Sequence, residues 1–177
     1  PKINSNSYFL EHVYNYSGIS IDAINYKKEF HAFRPKTTFI QSLIDSKETT
    51  KIFNLVRNED GWENQVSSIH KETLTMGKGF TADTIEMKTS TLQNLLPNNC
   101  IIDILMIDVE GHEIEVLDSL NWGLNSPRVI LIENNGEFYN RSILENFINN
   151  KGYKLYARIG TSDDIYVLND IEVNNNK

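Results

Sequence analysis

The chain has 177 residues, 40% hydrophobic and 23% charged, with a net charge of −7 and a single cysteine. These proportions fit one globular domain of 1–170 with a short tail at 171–177, and they exclude collagen-like, coiled-coil and disordered chains. No apolar run reaches the roughly 18–20 residues of a membrane span, the acidity opposes nucleic-acid binding, and a lone Cys100 points to a reducing, cytoplasmic setting.

The acidity is uneven. Residues 1–57 hold eight Lys and Arg against five Asp and Glu, whereas residues 58–177 hold nine against nineteen. A small neutral or cationic ligand suits such a chain better than a polyanion. The Asn-x-Ser triplets at Asn15 and Asn140 carry no weight in so Asn-rich a chain.

In chain order, Ser7 to Tyr16 spaces Phe9, Leu10, Val13 and Tyr14 along one helical face, and Gly18 is expected to end that helix. Ile19 and Ile21 form a short strand that stops on Asp22. Asn25 to Phe33 reads as an amphipathic helix closed before Pro35. Thr37 to Ile44 and Lys51 to Val56 read as strands. Helix, strand, helix, strand is the order of an α/β sheet.

Residues 58–83 show no sustained period and read as a long loop or lid over a substrate. Thr84 to Lys88 resumes strand character, and Leu92, Leu95 and Leu96 suggest a helical turn before Pro97. Ile101 to Ile107 is nearly continuous apolar sequence, as a doubly buried strand requires, and it runs into Asp108-Val-Glu110-Gly111-His112-Glu113. A helix with Ile114, Val116, Leu117 and Leu120 on its core face follows. Val129 to Ile132 is a second buried strand, ending on Glu133-Asn134-Asn135-Gly136. Ser142 to Asn150 forms a helix, and Tyr153 to Arg158 with Asp164 to Leu168 forms a closing hairpin. The tail from Asn174 frays.

In doubly wound sheets, ligands bind beyond the carboxyl ends of the strands. Three apolar strands end in acids here, at Asp22, Asp108 and Glu133, so three carboxylates are expected to share one crevice. A carboxylate after the first strand suits ribose hydroxyls, which it accepts in bidentate fashion. Six carboxylates and no Lys or Arg lie within residues 100–120. Glu113 and Glu115 fall in the first turn of a helix, where negative charge is favoured by about 0.3–1 kcal/mol. They are assigned to starting that helix, and Asp108 and Glu110 remain as functional candidates. His112 lacks zinc-ligand spacing.

IDILMIDVEGHEIEVL (102–117) followed by PRVILIENN (127–135) resembles the signature of the FkbM family of S-adenosylmethionine-dependent methyltransferases. SNSYFLEHVYNYSGISIDA (5–23), TLQNLL (91–96) and DDIYVLN (163–169) are similar to further segments of that family, in the same order. The resemblance implies an α/β fold with a Rossmann-like class I methyltransferase sheet. That sheet is three-layer α/β/α and mostly parallel, with a C-terminal antiparallel hairpin. It implies methyl transfer to an oxygen, often on a carbohydrate or natural product. Asp22 then takes the position of the ribose-binding acid, and the cofactor-binding residues expected are Asp22, Ile44, Asp45 and Asp108.

The catalytic set expected is Asp108, Glu110 and Glu133. Asp108 is either the base that takes the acceptor's proton or a ligand of a divalent metal. By position, Asp108, Glu133 and Asn134 resemble the magnesium-binding oxygens of the catechol O-methyltransferase type, and hard oxygen ligands suit magnesium. No glycine-rich loop precedes Asp22, so the domain is expected to have its first strand upstream of Pro1. Two other functions fit the same sheet: an NAD-type oxidoreductase, and a binding module that keeps the fold without cofactor. Trp62, Phe80 and Tyr139 serve either core packing or stacking on a sugar ring.

Overall fold

The computed structural model describes residue 5 and residues 7–57, 67–70 and 81–171. The N-terminal unit consists of helix α1 (Tyr8–Tyr14), strand β1 (Gly18–Asp22), helix α2 (Lys27–Phe33) and strand β2 (Thr37–Gln41). Helix α1 stops earlier than its apolar pattern implies. Asn15 takes the left-handed cap, with φ 64°, and returns its N–H to the Leu10 carbonyl, so Gly18 instead opens β1. Asn tolerates that conformation because its short amide bonds locally. Strands β1 and β2 pair in parallel, from Gly18↔Thr37 to Asp22↔Gln41.

The apolar run 37–44 is not one strand. It breaks at Ser42, whose N–H donates to the Asp22 carbonyl at 2.9 Å, and continues as β3 (Leu43–Ile44). Strand β2 pairs with β1, while β3 pairs in parallel with β5 (Thr81–Ser90), so one run of sequence serves two sheets. Strand β4 (Thr50–Arg57) lies antiparallel to β5 in continuous register, Thr50↔Lys88 through Arg57↔Thr81. Strand β5 starts at Thr81, so the loop expected over 58–83 gives way to strand before its end. Residues 58–66 and 71–80, with Trp62 and Phe80, lie outside the described residues, as does the tail from Asn174.

The C-terminal half carries the core. Helix α3 (Leu92–Leu95) is capped by the Thr91 side chain, which accepts from the Asn94 N–H. After it come β6 (Ile104–Ile107), α4 (Glu113–Asp118), β7 (Val129–Glu133), α5 (Arg141–Asn150), β8 (Tyr153–Ile159) and β9 (Asp163–Leu168). They form a four-stranded sheet in the order β6-β7-β9-β8, parallel at β6·β7 and antiparallel at the other two pairings. The closing hairpin forms where its alternation places it. Leu117, Ile130, Ile132, Leu144, Ile148 and Tyr166 are fully buried between α4, α5 and the sheet. Each such side chain stabilises the fold by about 1.5–3 kcal/mol.

The architecture is therefore mixed α/β, with three parallel and three antiparallel pairings. The single three-layer, mostly parallel sheet of the sequence expectation is not what the pairings define: the strands divide among three sheets. The reason is local. Among the described residues β1 pairs only with β2 and β6 only with β7. Their free edges face a groove of about 420 Å³, lined by Gly18 to Ile21 on one side and Ile102 to Asp108 on the other. Strand β6 is accordingly half-buried at Ile104, Leu105 and Met106 and fully buried only at Ile107. Among the described residues no helix is long and apolar enough to cross a membrane.

Candidate functional site

The carboxyl ends of β1, β6 and β7 deliver Asp22, Asp108 and Glu133 to one cavity of about 810 Å³. Glu110, His112, Ile44 and Asp163 line the same cavity. Its size is that of a small-molecule site, which typically spans about 300–1,000 Å³.

The turn between β6 and α4 is held in an unusual conformation. Glu110 has φ 55° and Gly111 φ 96°, two successive left-handed residues. A Cβ at Gly111 would stand 2.5 Å from Phe138 Cγ, so only glycine lets that ring close over the turn. The Glu113 carboxylate reaches back beneath it. Oε1 accepts from the Val109 N–H at 3.1 Å and the Gly111 N–H at 3.2 Å, and the Tyr139 hydroxyl donates to Oε2 at 2.6 Å. Glu113 stands in the first turn of α4, as expected, and has this further role. It is buried, and a buried carboxylate needs such donors, so it braces the turn that presents Asp108 and Glu110. Tyr139 is thereby an anchor of Glu113.

Oxygens of Asp108, Glu110 and Glu133 lie within 4.8 Å of one another. Burial pushes Glu133 up to about 8, and the charges of Asp108, Glu110 and Glu113 reinforce the shift. Burial, then Asp108, Glu113 and Glu137, pushes Glu110 up to about 7. Asp108 is also raised, by burial first and then by Glu113 and Asp163, while a hydrogen bond with Glu133 opposes the rise. A hydrogen bond between two carboxyl groups requires a proton on one. That bond lowers the pKa of Asp108, as it does for the accepting partner, so Glu133 is the donor and Asp108 the acceptor. Asp22, at the far wall, is raised by burial to about 6. Its Oδ1 accepts from the Ile24 N–H at 2.8 Å. Among the described residues its second oxygen has no partner.

Ile44 stands in the cavity wall as expected. Asp45 does not line it. Its buried carboxylate bonds Lys51 Nζ at 2.8 Å, the Ser46 N–H at 2.9 Å and His112 Nε2 at 3.1 Å. Burial opposes its ionisation, but Lys51, Ser46 and His112 together hold its pKa below the usual value. Asn134 is buried and does not line the cavity; its Nδ2 donates to Asp164 Oδ2 at 2.7 Å, and its Oδ1 has no hydrogen-bond partner among the described residues. The strand-end oxygens that converge are those of Asp108, Glu110 and Glu133. His112 was missed as a wall residue. It occupies the N-cap position of α4, where its ring is turned inward onto Asp45. Burial lowers its pKa despite Glu115 and Asp45.

Strand ends, an acid-lined cavity and a glycine-dependent turn characterise this mixed α/β domain. The family model of the methyltransferase FkbM domain matches residues 17–155, well over half of the chain. The chain belongs to the FkbM methyltransferase family. Comparison with curated proteins and with solved structures finds no match.

Proposed function

We propose that the protein is an S-adenosylmethionine-dependent O-methyltransferase acting on a hydroxyl of a carbohydrate or other small molecule in the cytoplasm. The observation that carries this reading is the convergence of Asp22, Asp108, Glu110 and Glu133 on one cavity in a chain of this family. The cofactor fits the residues present. Among the described residues one carboxylate oxygen of Asp22 is left for ribose hydroxyls, Ile21, Ile24 and Ile44 supply an apolar wall, and the acids suit a sulfonium cation. When bound, the cofactor supplies a methyl group on a cationic sulfur, which the acceptor oxygen takes.

The chain's own residues have two tasks, to orient the hydroxyl and to take its proton. Asp108 takes the proton. Glu133, already protonated, holds Asp108 by its hydrogen bond, and burial raises the basicity of Asp108. Among the described residues the cavity wall contains five carboxylates and no Lys or Arg. A neutral or cationic acceptor suits that wall; a phosphorylated acceptor, a nucleic acid or an anionic membrane surface does not.

A second reading rests on the spacing of the cluster. Asp108, Glu110 and Glu133 could hold magnesium, which would displace the shared proton and acidify the acceptor hydroxyl. Incubation with methyl-labelled S-adenosylmethionine and a panel of neutral, cationic and phosphorylated sugars tests both readings. Label in the neutral or cationic acceptors supports the transferase, and loss of it on chelation selects the metal-assisted form. Absence of label in every acceptor favours a binding module.

A further inference from the structure

Residues 67–70 come from a part of the chain with no motif, yet they are bonded on both sides. On one side is buried Asn54 in β4. Its backbone exchanges hydrogen bonds with Ser68, at 2.9 and 3.2 Å, and its Nδ2 donates to the Ser68 and Ile69 carbonyls at 3.1 and 3.2 Å. The Val56 N–H adds a bond to Ser67 Oγ at 3.0 Å. On the other side is the acidic turn. Ser68 Oγ donates to the Glu110 carbonyl at 2.9 Å while accepting from the His70 N–H at 3.1 Å. A hydroxyl has one proton, so that proton is committed to Glu110. The His70 ring lies 5.8 Å from the rings of His112 and Phe138, which flank the same turn.

The peptide group between Glu110 and Gly111 adjoins the Cα that carries the Glu110 side chain. It joins the two left-handed residues, and because it is planar its carbonyl and N–H rotate together. Its N–H is held by Glu113 Oε1, four positions from Val109 within the same motif. Its carbonyl is held by Ser68, 42 residues upstream. With one end alone fixed, the peptide could tilt about that bond and carry the Glu110 carboxylate away from Asp108 and Glu133.

We propose that Ser68, carried on Asn54, is a positioning residue for Glu110: its hydroxyl locks the Glu110–Gly111 peptide and so keeps the Glu110 carboxylate in the acid cluster of the transfer site. The activity half of this inference rests on the proposed methyl transfer, and the geometric half does not. Ser67, Ser68 and Ile69 also line the cavity, so the same segment forms wall and brace at once.

The experiment compares Ser68→Ala and Ser68→Thr with the natural protein, reading steady-state methyl transfer and the carbonyl carbon-13 shift of Glu110 by NMR. The expected result is a kcat lower by roughly 3- to 10-fold in Ser68→Ala, the factor for one neutral hydrogen bond. Acceptor KM stays unchanged, the Glu110 carbonyl shift moves, and Ser68→Thr returns both readouts toward the natural values. An unchanged carbonyl shift in Ser68→Ala, or a Thr variant that behaves like Ala, overturns the proposal. If no form transfers methyl groups, a shift that moves in Ala and recovers in Thr keeps the brace and removes the transferase reading. If Ser68→Ala does not fold, Ser68→Cys, whose thiol is a weaker donor, takes its place in the same comparison.

Discussion

Carboxylates at two places in this molecule are held in opposite ways. Near the N-terminus, Glu11 is buried against Arg34 Nε at 2.7 Å, with Thr37 Oγ1 at 2.5 Å and the Lys36 N–H at 2.9 Å on its oxygens. Burial alone would raise its pKa, but these donors and the guanidinium charge hold it low. Beyond β6 and β7, Asp108, Glu110 and Glu133 face one another with no Lys or Arg in the cavity wall among the described residues, and all three are raised. The first arrangement ties α1 to the start of β2 and gives both carboxylate oxygens a donor. The second is an energetic cost to the fold, of the kind that clusters at binding and catalytic sites.

The largest expected effect separates the two groups by activity. Asp108→Asn should lower methyl transfer by roughly 100- to 10,000-fold, the usual contribution of a positioned base, without loss of stability in urea unfolding. Transfer at the natural rate would remove Asp108 both as base and as metal ligand. Arg34→Met makes the converse cut. It strands the Glu11 charge and should destabilise the protein by about 3–5 kcal/mol; a loss near zero would mean that Glu11 is not held as a buried ion.

A smaller effect concerns the turn between them. Gly111→Ala forces a Cβ onto a residue with φ 96° and against Phe138, which should cost about 1–3 kcal/mol and be visible as a lower midpoint in thermal unfolding. The smallest is a pH effect. Glu133 holds its proton more tightly folded than unfolded, with its pKa moved from 4.5 to about 8. Its contribution to stability is therefore full below about pH 4.5 and is lost as pH rises through about 8. Glu133→Gln removes that loss and should raise the melting temperature by about 2–4 °C near pH 8, with no gain near pH 4. Equal gains at both ends of the range would show that the carboxyl group is not strained by its neighbours.

Much of the frame was legible because it depends on local pattern. The apolar runs of β6 and β7, the acids that end them and the alternation of the closing hairpin are all written in contiguous residues. So is the family signature, carried by the turn after β6. What stayed hidden depends on partners distant in sequence. Nothing near Ser42 says that the chain changes sheets there, because sheet membership is decided by whether β1 or β5 arrives. The engagement of the Asp45 carboxylate by Lys51 and His112, and of the Asn134 amide nitrogen by Asp164, depends on residues outside the local pattern. Glu113 looks like any acid in a first helical turn; its role comes from Tyr139 and from the backbone that folds over it. Glu11 and Arg34 are 23 residues apart, and no periodicity links them.

The central claim is that the acid-lined cavity receives an S-adenosyl cofactor with Asp22 on its ribose. Calorimetric titration of S-adenosylhomocysteine into the protein and into Asp22→Asn tests it most directly. The account predicts saturable binding, weakened roughly 10- to 100-fold in the variant, as expected for losing a hydrogen-bonded charge. No heat of binding in the natural protein, or the same affinity in both, would contradict it.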